Sequence, residues 1–246
     1  MWPFVPETVL VADHGVSAVR TLQGLQRLGI KAVSVHTAED SEALHATVAD
    51  ETVLLGETRA SYRDPVKLVE AAQQAGAQAV HPAHADLPGL EAAVREAGLE
   101  WLGGPLRLPV ELTIGDGVVE ARLAEADVNV PPIAARAAEV VSGIDLTSAA
   151  LEGAATGIVR GGVALSVDIV ASEPAEITAW QAPELDDVWL DSAVETGSTP
   201  VDRVLGVLTA WGPDRDAAYA LACAAWDLLV VEGPVVLRPE ALGGTA

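Results

Sequence analysis

The chain has 246 residues, and its hydrophobic content of 50% is ample for one large domain or two small ones. Only 20% of the residues are charged, which excludes a disordered chain. The formal net charge of −22 repels phosphate backbones and anionic membrane surfaces, so we expect neither nucleic acid nor a membrane as a partner. A single cysteine, Cys223, allows no intrachain disulfide, and the N-terminal residues lack the basic region of a signal peptide. These features predict a cytoplasmic protein.

The first hundred residues alternate short β-branched runs with helical patterns. Val19, Leu22 and Leu25 recur at three-residue spacing, which predicts a helix directly after the first strand. Short connections between alternating strands and helices are typical of a parallel sheet with helices on both faces. The predicted strands are 8–12, 31–35, 53–55, 79–82 and 101–103, and the predicted helices are 16–28, 65–75 and 90–97.

The pattern changes after about residue 110. Apolar and polar residues alternate with period two over 163–170, which predicts a half-buried strand. Asp214 stands at the start of an apolar helical pattern, where an acidic residue can cap the helix. The second half therefore favours an antiparallel α+β domain. Its other predicted elements are helices at 118–126, 136–152 and 215–229 and strands at 176–180 and 188–191.

Polar side chains follow two of the predicted parallel strands. Asp13 and His14 come directly after the first strand, and His81, His84 and Asp86 lie at and after the end of the fourth. Open parallel sheets bind ligands at the carboxyl ends of their strands, so these five residues are the candidate ligand or acid–base site.

Other chemistry-bearing residues are expected to have structural roles. The adjacent acids Glu39 and Asp40 are typical of a solvated turn, and His36 and His45 are expected at the surface or in a structural role. Cys223 lies within an apolar run and is expected to be a small core residue rather than a nucleophile.

The first strand, turn and helix at 9–22 have the sequence Val-Leu-Val-Ala-Asp-His-Gly-Val-Ser-Ala-Val-Arg-Thr-Leu. This motif resembles the opening strand, turn and helix of biotin carboxylase, the α-subunit type of biotin-dependent acyl-CoA carboxylases. The resemblance implies a Rossmann-like parallel N-terminal domain of the pre-ATP-grasp type over 1–112, a helical remnant over 113–155, and a smaller α+β C-terminal domain over 156–246. Further similar segments are 28–33, 49–51, 79–82, 101–105, 114–117, 121–124, 139–146, 177–180, 188–194 and 210–215.

The resemblance also implies that the family's chemistry is missing. The segment that 139–146 resembles follows an ATP-grasp module in the family, but here it comes soon after the N-terminal matches. Gly117, Trp189 and Val207 stand where the family has a lysine, a bicarbonate-binding arginine and a second lysine. The family's metal-binding run falls at 128–135, which here is Val-Asn-Val-Pro-Pro-Ile-Ala-Ala. We therefore expect no ATP-dependent carboxylation and no ATP, biotin or other cofactor, apart from a divalent metal under one hypothesis.

Two functions remain as hypotheses. The first is a non-catalytic relative, a structural, assembly or regulatory subunit of an acyl-CoA carboxylase complex that pairs with itself or with a carboxylase subunit. The second is a repurposed small-molecule-binding protein or metal-dependent enzyme. The two strand ends lie together in the family, so Asp13, His14, His81, His84 and Asp86 could converge. Three imidazoles, from His14, His81 and His84, could then bind a divalent ion or carry out acid–base chemistry. Alternatively, His81 caps its strand and the others are solvated.

Overall fold

The structure is a computed structural model that describes most of the chain. The described residues form two compact units, one containing those up to 102 and the other containing those from 110 onward. None of the helices among them is long and apolar enough to cross a bilayer. The described ranges are 6–27, 29–83, 87–102, 110–115, 118–123, 163–233, 236, 238–239 and 242–243.

The first unit is built on a five-stranded parallel sheet with the strand order β3-β2-β1-β4-β5. The central strand pairs on both sides, because Val9 is in register with Ala32 of one neighbour and Ala79 of the other. The parallel sheet predicted from the alternating pattern is therefore confirmed. The strands are β1 (Thr8–Val11), β2 (Lys31–Thr37), β3 (Glu51–Gly56), β4 (Ala79–His81) and β5 (Glu100–Trp101).

Helices cover both faces of this sheet. Leu10 packs in one core with Leu68 and Leu90, whereas Val11 packs in a second core with Leu25. Successive side chains of β1 point to opposite faces, so one short strand contributes to both cores. The helices are α1 (Gly15–Arg27), α2 (Leu44–Thr47), a 3₁₀ helix (Arg59–Arg63), α3 (Pro65–Gln74) and α4 (Leu90–Glu96).

The ends of α3 show why the sequence folds this way locally. The side chain of Asp64 accepts hydrogen bonds from the backbone N–H groups of Val66 and Lys67, and Pro65 occupies the first turn. A proline costs nothing there because that N–H has no partner within the helix. Beyond the other end, Gly76 adopts a φ of +64°, which an L side chain resists, so the chain turns into the next strand.

The second unit contains an antiparallel sheet with the strand order β10-β11-β8-β7-β6 and a separate β12-β9 pair. One face of the larger sheet packs against a helix whose first turn is capped by Asp214. Ile169 and Leu208 from the sheet share a core with Ala225 of that helix. The elements are β6 (Val110–Gly115), β7 (Val118–Leu123), β8 (Val163–Val170), β9 (Ala179–Gln181), β10 (Val188–Ser192), β11 (Val204–Gly212), α5 (Arg215–Leu228) and β12 (Val230–Glu232).

The predicted helix at 118–126 is wrong in its described part, because residues 118–123 form β7. This strand pairs with β6 on one side and β8 on the other, and such pairing overrides the helical preference of its Glu, Ala, Arg and Leu residues. The segment predicted as a helical remnant, 113–155, therefore contains strand at 113–115 and 118–123. The predicted helix at 136–152 lies outside the described residues, and the domain boundaries at 112 and 155 stay predictions.

Candidate functional site

A cavity of about 610 Å³ lies at the carboxyl end of β1. The strand ends at Val11 and α1 begins at Gly15, so Asp13 and His14 fall in the turn between them. Gly15 has a φ of +70°, a conformation that glycine adopts without steric cost. The described lining of the cavity consists of Ala12, Asp13, His14, Arg59, Ala60, Tyr62, Arg63 and Leu87.

His14 is held between two other lining residues. The Nη2 atom of Arg59 lies 2.9 Å from Nδ1 of His14 and 3.2 Å from Nε2, and the ring of Tyr62 meets the imidazole edge-on with 4.8 Å between centroids. Oδ1 of Asp13 accepts the backbone N–H of His14 at 2.8 Å. The arrangement holds the imidazole of His14 against the guanidinium of Arg59.

A buried polar network supports this wall of the cavity. The carboxylate of Asp40 is 2% exposed, and its Oδ1 accepts both the N–H and the hydroxyl of Thr37, at 2.6 and 2.7 Å. Its Oδ2 accepts the hydroxyl of Tyr62 at 2.9 Å and lies 3.8 Å from Nε of Arg59. Nε2 of His45, a residue 1% exposed, is 3.1 Å from the same hydroxyl and fits the role of its donor. Buried polar groups satisfied in this way rigidify their surroundings.

Sequence reasoning missed this network. Asp40 was predicted to lie in a solvated turn, which is wrong because donors in the fold surround its carboxylate, whereas Glu39 is exposed and accepts the N–H of Arg59 at 2.9 Å. Arg59 and Tyr62 come from the 3₁₀ helix, which begins just after β3 ends at Gly56. The rule that strand ends carry function, applied to the third strand as well, would have pointed to them.

The predicted site residues are only partly brought together. Asp13 and His14 line the cavity, whereas His81 is not part of its described lining. The ring of His81 is 2% exposed, and its Nδ1 accepts the N–H of Ala83 at 2.9 Å, which fits the alternative strand-capping role. His84 and Asp86 lie outside the described residues. No three or more His, Cys, Asp or Glu residues among those described are grouped closely enough to hold a metal ion. Convergence of all five residues stays a prediction.

The first unit is similar in sequence to known proteins. The profile of the family described as biotin carboxylase, N-terminal domain, matches residues 5–108. This part of the chain is therefore similar to the N-terminal domain of biotin carboxylase. The propionyl-CoA carboxylase alpha chain of Caenorhabditis elegans is 33% identical over 125 residues, which are 49% of this chain and 17% of that protein. The biotin carboxylase of Pseudomonas aeruginosa is 41% identical over 80 residues, 32% of this chain and 18% of that protein. The matched segments thus span less than a fifth of these relatives.

Solved structures resemble the chain over nearly its whole length. The biotin carboxylase of Campylobacter jejuni aligns with a TM-score of 0.70 at 15% identity, covering 94% of this chain and 93% of that one. Pyruvate carboxylase of Rhizobium etli aligns with a TM-score of 0.69 at 18% identity, covering 95% and 34%. Likeness at this identity shows the fold alone, and it confirms the predicted combination of a Rossmann-like parallel domain with a smaller α+β domain.

Proposed function

We propose that the chain is a non-catalytic biotin carboxylase-like protein that serves as a structural, assembly or regulatory subunit of a cytoplasmic acyl-CoA carboxylase. The observation that carries this proposal lies in the sheet of the second unit. Val207, which stands where the resemblance implies a lysine, is in cross-strand register with Asp191 on one side and Asp168 on the other. Residues directly opposite each other share a sheet face, so an anionic reactant there would meet two carboxylates.

The neighbouring position supports the same interpretation. Trp189, which stands where the resemblance implies the bicarbonate-binding arginine, pairs with Thr209 on the same two strands. Carboxylation through a phosphorylated bicarbonate needs positive charge that stabilises the developing anion. Trp189 and Val207 carry no positive charge, so they do not fit bicarbonate or the phosphates of ATP. Loss of the ATP-grasp module belongs to the same proposal.

Retention of the apolar frame supports a role in assembly. Drift without function damages cores as readily as sites, yet each unit keeps large side chains that are fully buried, such as Leu10 and Leu22 in the first and Ile169 and Leu205 in the second. The relatives named above are subunits or domains of carboxylases. We therefore propose that the chain associates with a carboxylase subunit or with a second copy of itself.

Copurification with an enzymatic assay tests this proposal. A tagged full-length chain, isolated from its native cells under gentle conditions, is expected to retain a biotin-dependent carboxylase component that the tag alone does not. The purified chain is expected to release no ADP in response to bicarbonate and biotin, whereas an active biotin carboxylase assayed in parallel does. Recovery without any carboxylase component contradicts the partner role, and bicarbonate-dependent ADP release contradicts the non-catalytic one. Light scattering on the pure chain shows whether it pairs with itself.

The cavity favours a second candidate function, which is small-molecule binding at the strand ends. Asp13 and His14 supply a carboxylate and an imidazole to an open cavity of about 610 Å³, within the size range of small-ligand sites. The metal-dependent version of this candidate predicts a stoichiometric bound metal in protein purified without chelator, lost in His14→Ala and His84→Ala variants. If the purified protein contains no metal and neither substitution alters its measured properties, the metal-dependent version is contradicted.

A further inference from the structure

We propose that the cavity binds a small molecule through a carboxylate or phosphate group held by Arg59 and Arg63. This inference rests on the second proposed function, ligand binding at the strand ends, and is independent of any association with a carboxylase. Both arginines belong to the 3₁₀ helix after β3, and both line the cavity. A guanidinium offers five N–H donors in a rigid fork that matches the oxygens of carboxylate and phosphate.

The cavity is much less acidic than the chain as a whole. The whole chain has 36 acidic residues against 14 lysines and arginines. The described lining has two arginines and one acid, Asp13, and the buried carboxylate of Asp40 lies 3.8 Å from Nε of Arg59. Two guanidinium groups at one cavity of a strongly acidic protein make this place more favourable for an anion than the rest of the surface.

Arg59 is held in place before any ligand arrives. Its Nη2 lies 2.9 Å from Nδ1 of His14, its Nε lies 3.8 Å from the buried Oδ2 of Asp40, and its backbone N–H is bonded to Glu39. The side chain is 29% exposed, so it is neither buried from ligand nor free to rotate in solvent. A fixed donor loses less conformational entropy when it binds, and this favours affinity.

The same contacts favour an anion over a metal ion. A cation bound at the His14 ring would lie close to the guanidinium of Arg59, whose Nη2 is within 3.2 Å of both ring nitrogens. Like charges at such distances repel strongly where solvent is partly excluded. The carboxylate of Asp40 balances part of the Arg59 charge, with 3.8 Å between Oδ2 and Nε, but it is buried and outside the described lining and so is not available as a metal ligand.

The shape and position of the cavity limit the ligand further. Ala12 and Ala60 leave space for it, and Leu87 adds an apolar wall. The 13-residue helix α1 begins directly after Asp13 and His14, so the positive end of its dipole is at the same edge. The fitting ligand is therefore a small organic acid or phosphate ester with a short apolar part.

Isothermal titration of the full-length protein tests the inference, with malonate, inorganic phosphate and pyrophosphate as probes in buffers matched in ionic strength with chloride. Saturable binding of malonate alone identifies a carboxylate ligand, and binding of either phosphate probe alone identifies a phosphate ligand. Arg59→Gln and Arg63→Gln are each expected to weaken that binding about tenfold or more. Arg95→Gln removes an equal charge from α4, outside the cavity lining, and is expected to leave affinity unchanged.

Two outcomes overturn the inference: no saturable binding of any probe, or equal weakening by Arg95→Gln, which would show a diffuse charge effect. Arg63 is exposed, so its variant keeps the test valid if Arg59→Gln unfolds. Histidine ring resonances, with His14 assigned through His14→Ala, separate this inference from the function it rests on. If zinc or neutral sugars shift the His14 signals and anions do not, the anion class is wrong and the ligand site stands. If no probe shifts them, both fail.

Discussion

Tyr62 connects the cavity to the interior of the first unit. Its ring faces the cavity and packs against His14, while its hydroxyl is 2.9 Å from the buried carboxylate of Asp40 and 3.1 Å from Nε2 of His45. The hydroxyl has a single proton for two acceptors, Oδ2 of Asp40 and the backbone carbonyl of Val35 at 3.1 Å, and its oxygen can accept from His45. Thr37 completes the surroundings of the carboxylate from the end of β2. The orientation of the cavity wall thus depends on a buried hydrogen-bond network.

Replacing Tyr62 by phenylalanine tests that network. The variant leaves the buried Asp40 carboxylate without one of its donors, so we expect the free energy of unfolding to fall by about 1–3 kcal/mol in urea denaturation. Tyr219, the second tyrosine of the chain, is 36% exposed, and Tyr219→Phe is the matched control with an expected change within about 0.5 kcal/mol. Equal effects of the two variants would show that Tyr62 contributes no special hydrogen bond.

A second buried pair allows a double-mutant cycle in the other unit. Oγ of Ser166 lies 2.9 Å from Oγ1 of Thr209 between β8 and β11, and the two residues are 8% and 1% exposed. Thr209→Val leaves the Ser166 hydroxyl unsatisfied and is expected to cost about 1–3 kcal/mol of unfolding free energy. Adding Ser166→Ala is expected to recover part of that loss, since both polar groups are then gone. Strict additivity in urea denaturation would mean that the hydroxyls do not interact.

At the scale of elements, the connections after β1, β2 and β3 build the site. The turn before α1 supplies Asp13 and His14, the turn after β2 supplies Asp40, and the 3₁₀ helix after β3 supplies Arg59 and Tyr62. In a parallel sheet these connections leave from one edge, so residues distant in sequence meet there. The 3₁₀ helix is followed immediately by Asp64, which caps α3, and that cap therefore also fixes where the 3₁₀ helix ends.

Removing this cap tests how firmly the 3₁₀ helix is anchored. Asp64→Ala leaves the first N–H groups of α3 without their side-chain acceptor, and we expect a loss of about 1 kcal/mol in the free energy of unfolding. Asp64→Ser retains an acceptor oxygen and is expected to recover most of it. Thermal and urea unfolding measure both variants. If serine and alanine behave alike, the aspartate acts through its charge and not through the cap.

The elements of the first unit were predictable because their signals are local. The five strands and the helices α1, α3 and α4 are bounded by glycine, proline and apolar spacing, and their predicted bounds agree with the observed ones to within a few residues, whereas α2 and the 3₁₀ helix were not predicted. In the second unit, β7 was mistaken for a helix, and β6, β11 and β12 were not predicted. β7 and β11 each lie between two other strands, and pairing across the sheet cannot be read from a single segment.

The candidate site divides in the same way. Asp13 and His14 were predictable from their place after a strand, and the structure puts them in the cavity wall. The burial of Asp40 was not predictable, because an acid in a turn is buried only when donors from distant parts of the chain surround it. Here one donor is the hydroxyl of Tyr62, which follows the next strand. Arg59 was missed for the same reason, since its contact with His14 joins residues 45 positions apart.

At the scale of the whole molecule, charge is the dominant feature. A formal net charge of −22 at neutral pH means that acidic side chains repel each other across the surface. Such repulsion opposes the close approach of like-charged surfaces and destabilises the compact state. Any protein partner in the proposed complex is therefore expected to present a basic surface, which would also speed association at low salt.

The repulsion predicts a salt effect with a definite sign. Raising NaCl to about 0.5 M shortens the screening length to a few ångströms, so we expect the melting temperature at neutral pH to rise by roughly 2–4 °C. The control is the same comparison near the isoelectric point of 4.3, where little net charge remains to be screened and the rise is expected to vanish. Differential scanning calorimetry gives both values. An equal rise at both pH values would point to a general salting-out effect.

The central position of β1 has a consequence for the order in which the protein is made. Val9 pairs with Ala32 early in the chain, but its other partner, Ala79, is synthesised only after α2, β3, the 3₁₀ helix and α3. During synthesis, the edge of β1 that pairs with β4 therefore stays unpaired until β4 is made. Closing such a long loop slows folding and exposes the waiting edge to intermolecular pairing. We therefore expect a chaperone to bind most strongly to nascent chains that stop before residue 79, because one edge of β1 is still unpaired in them.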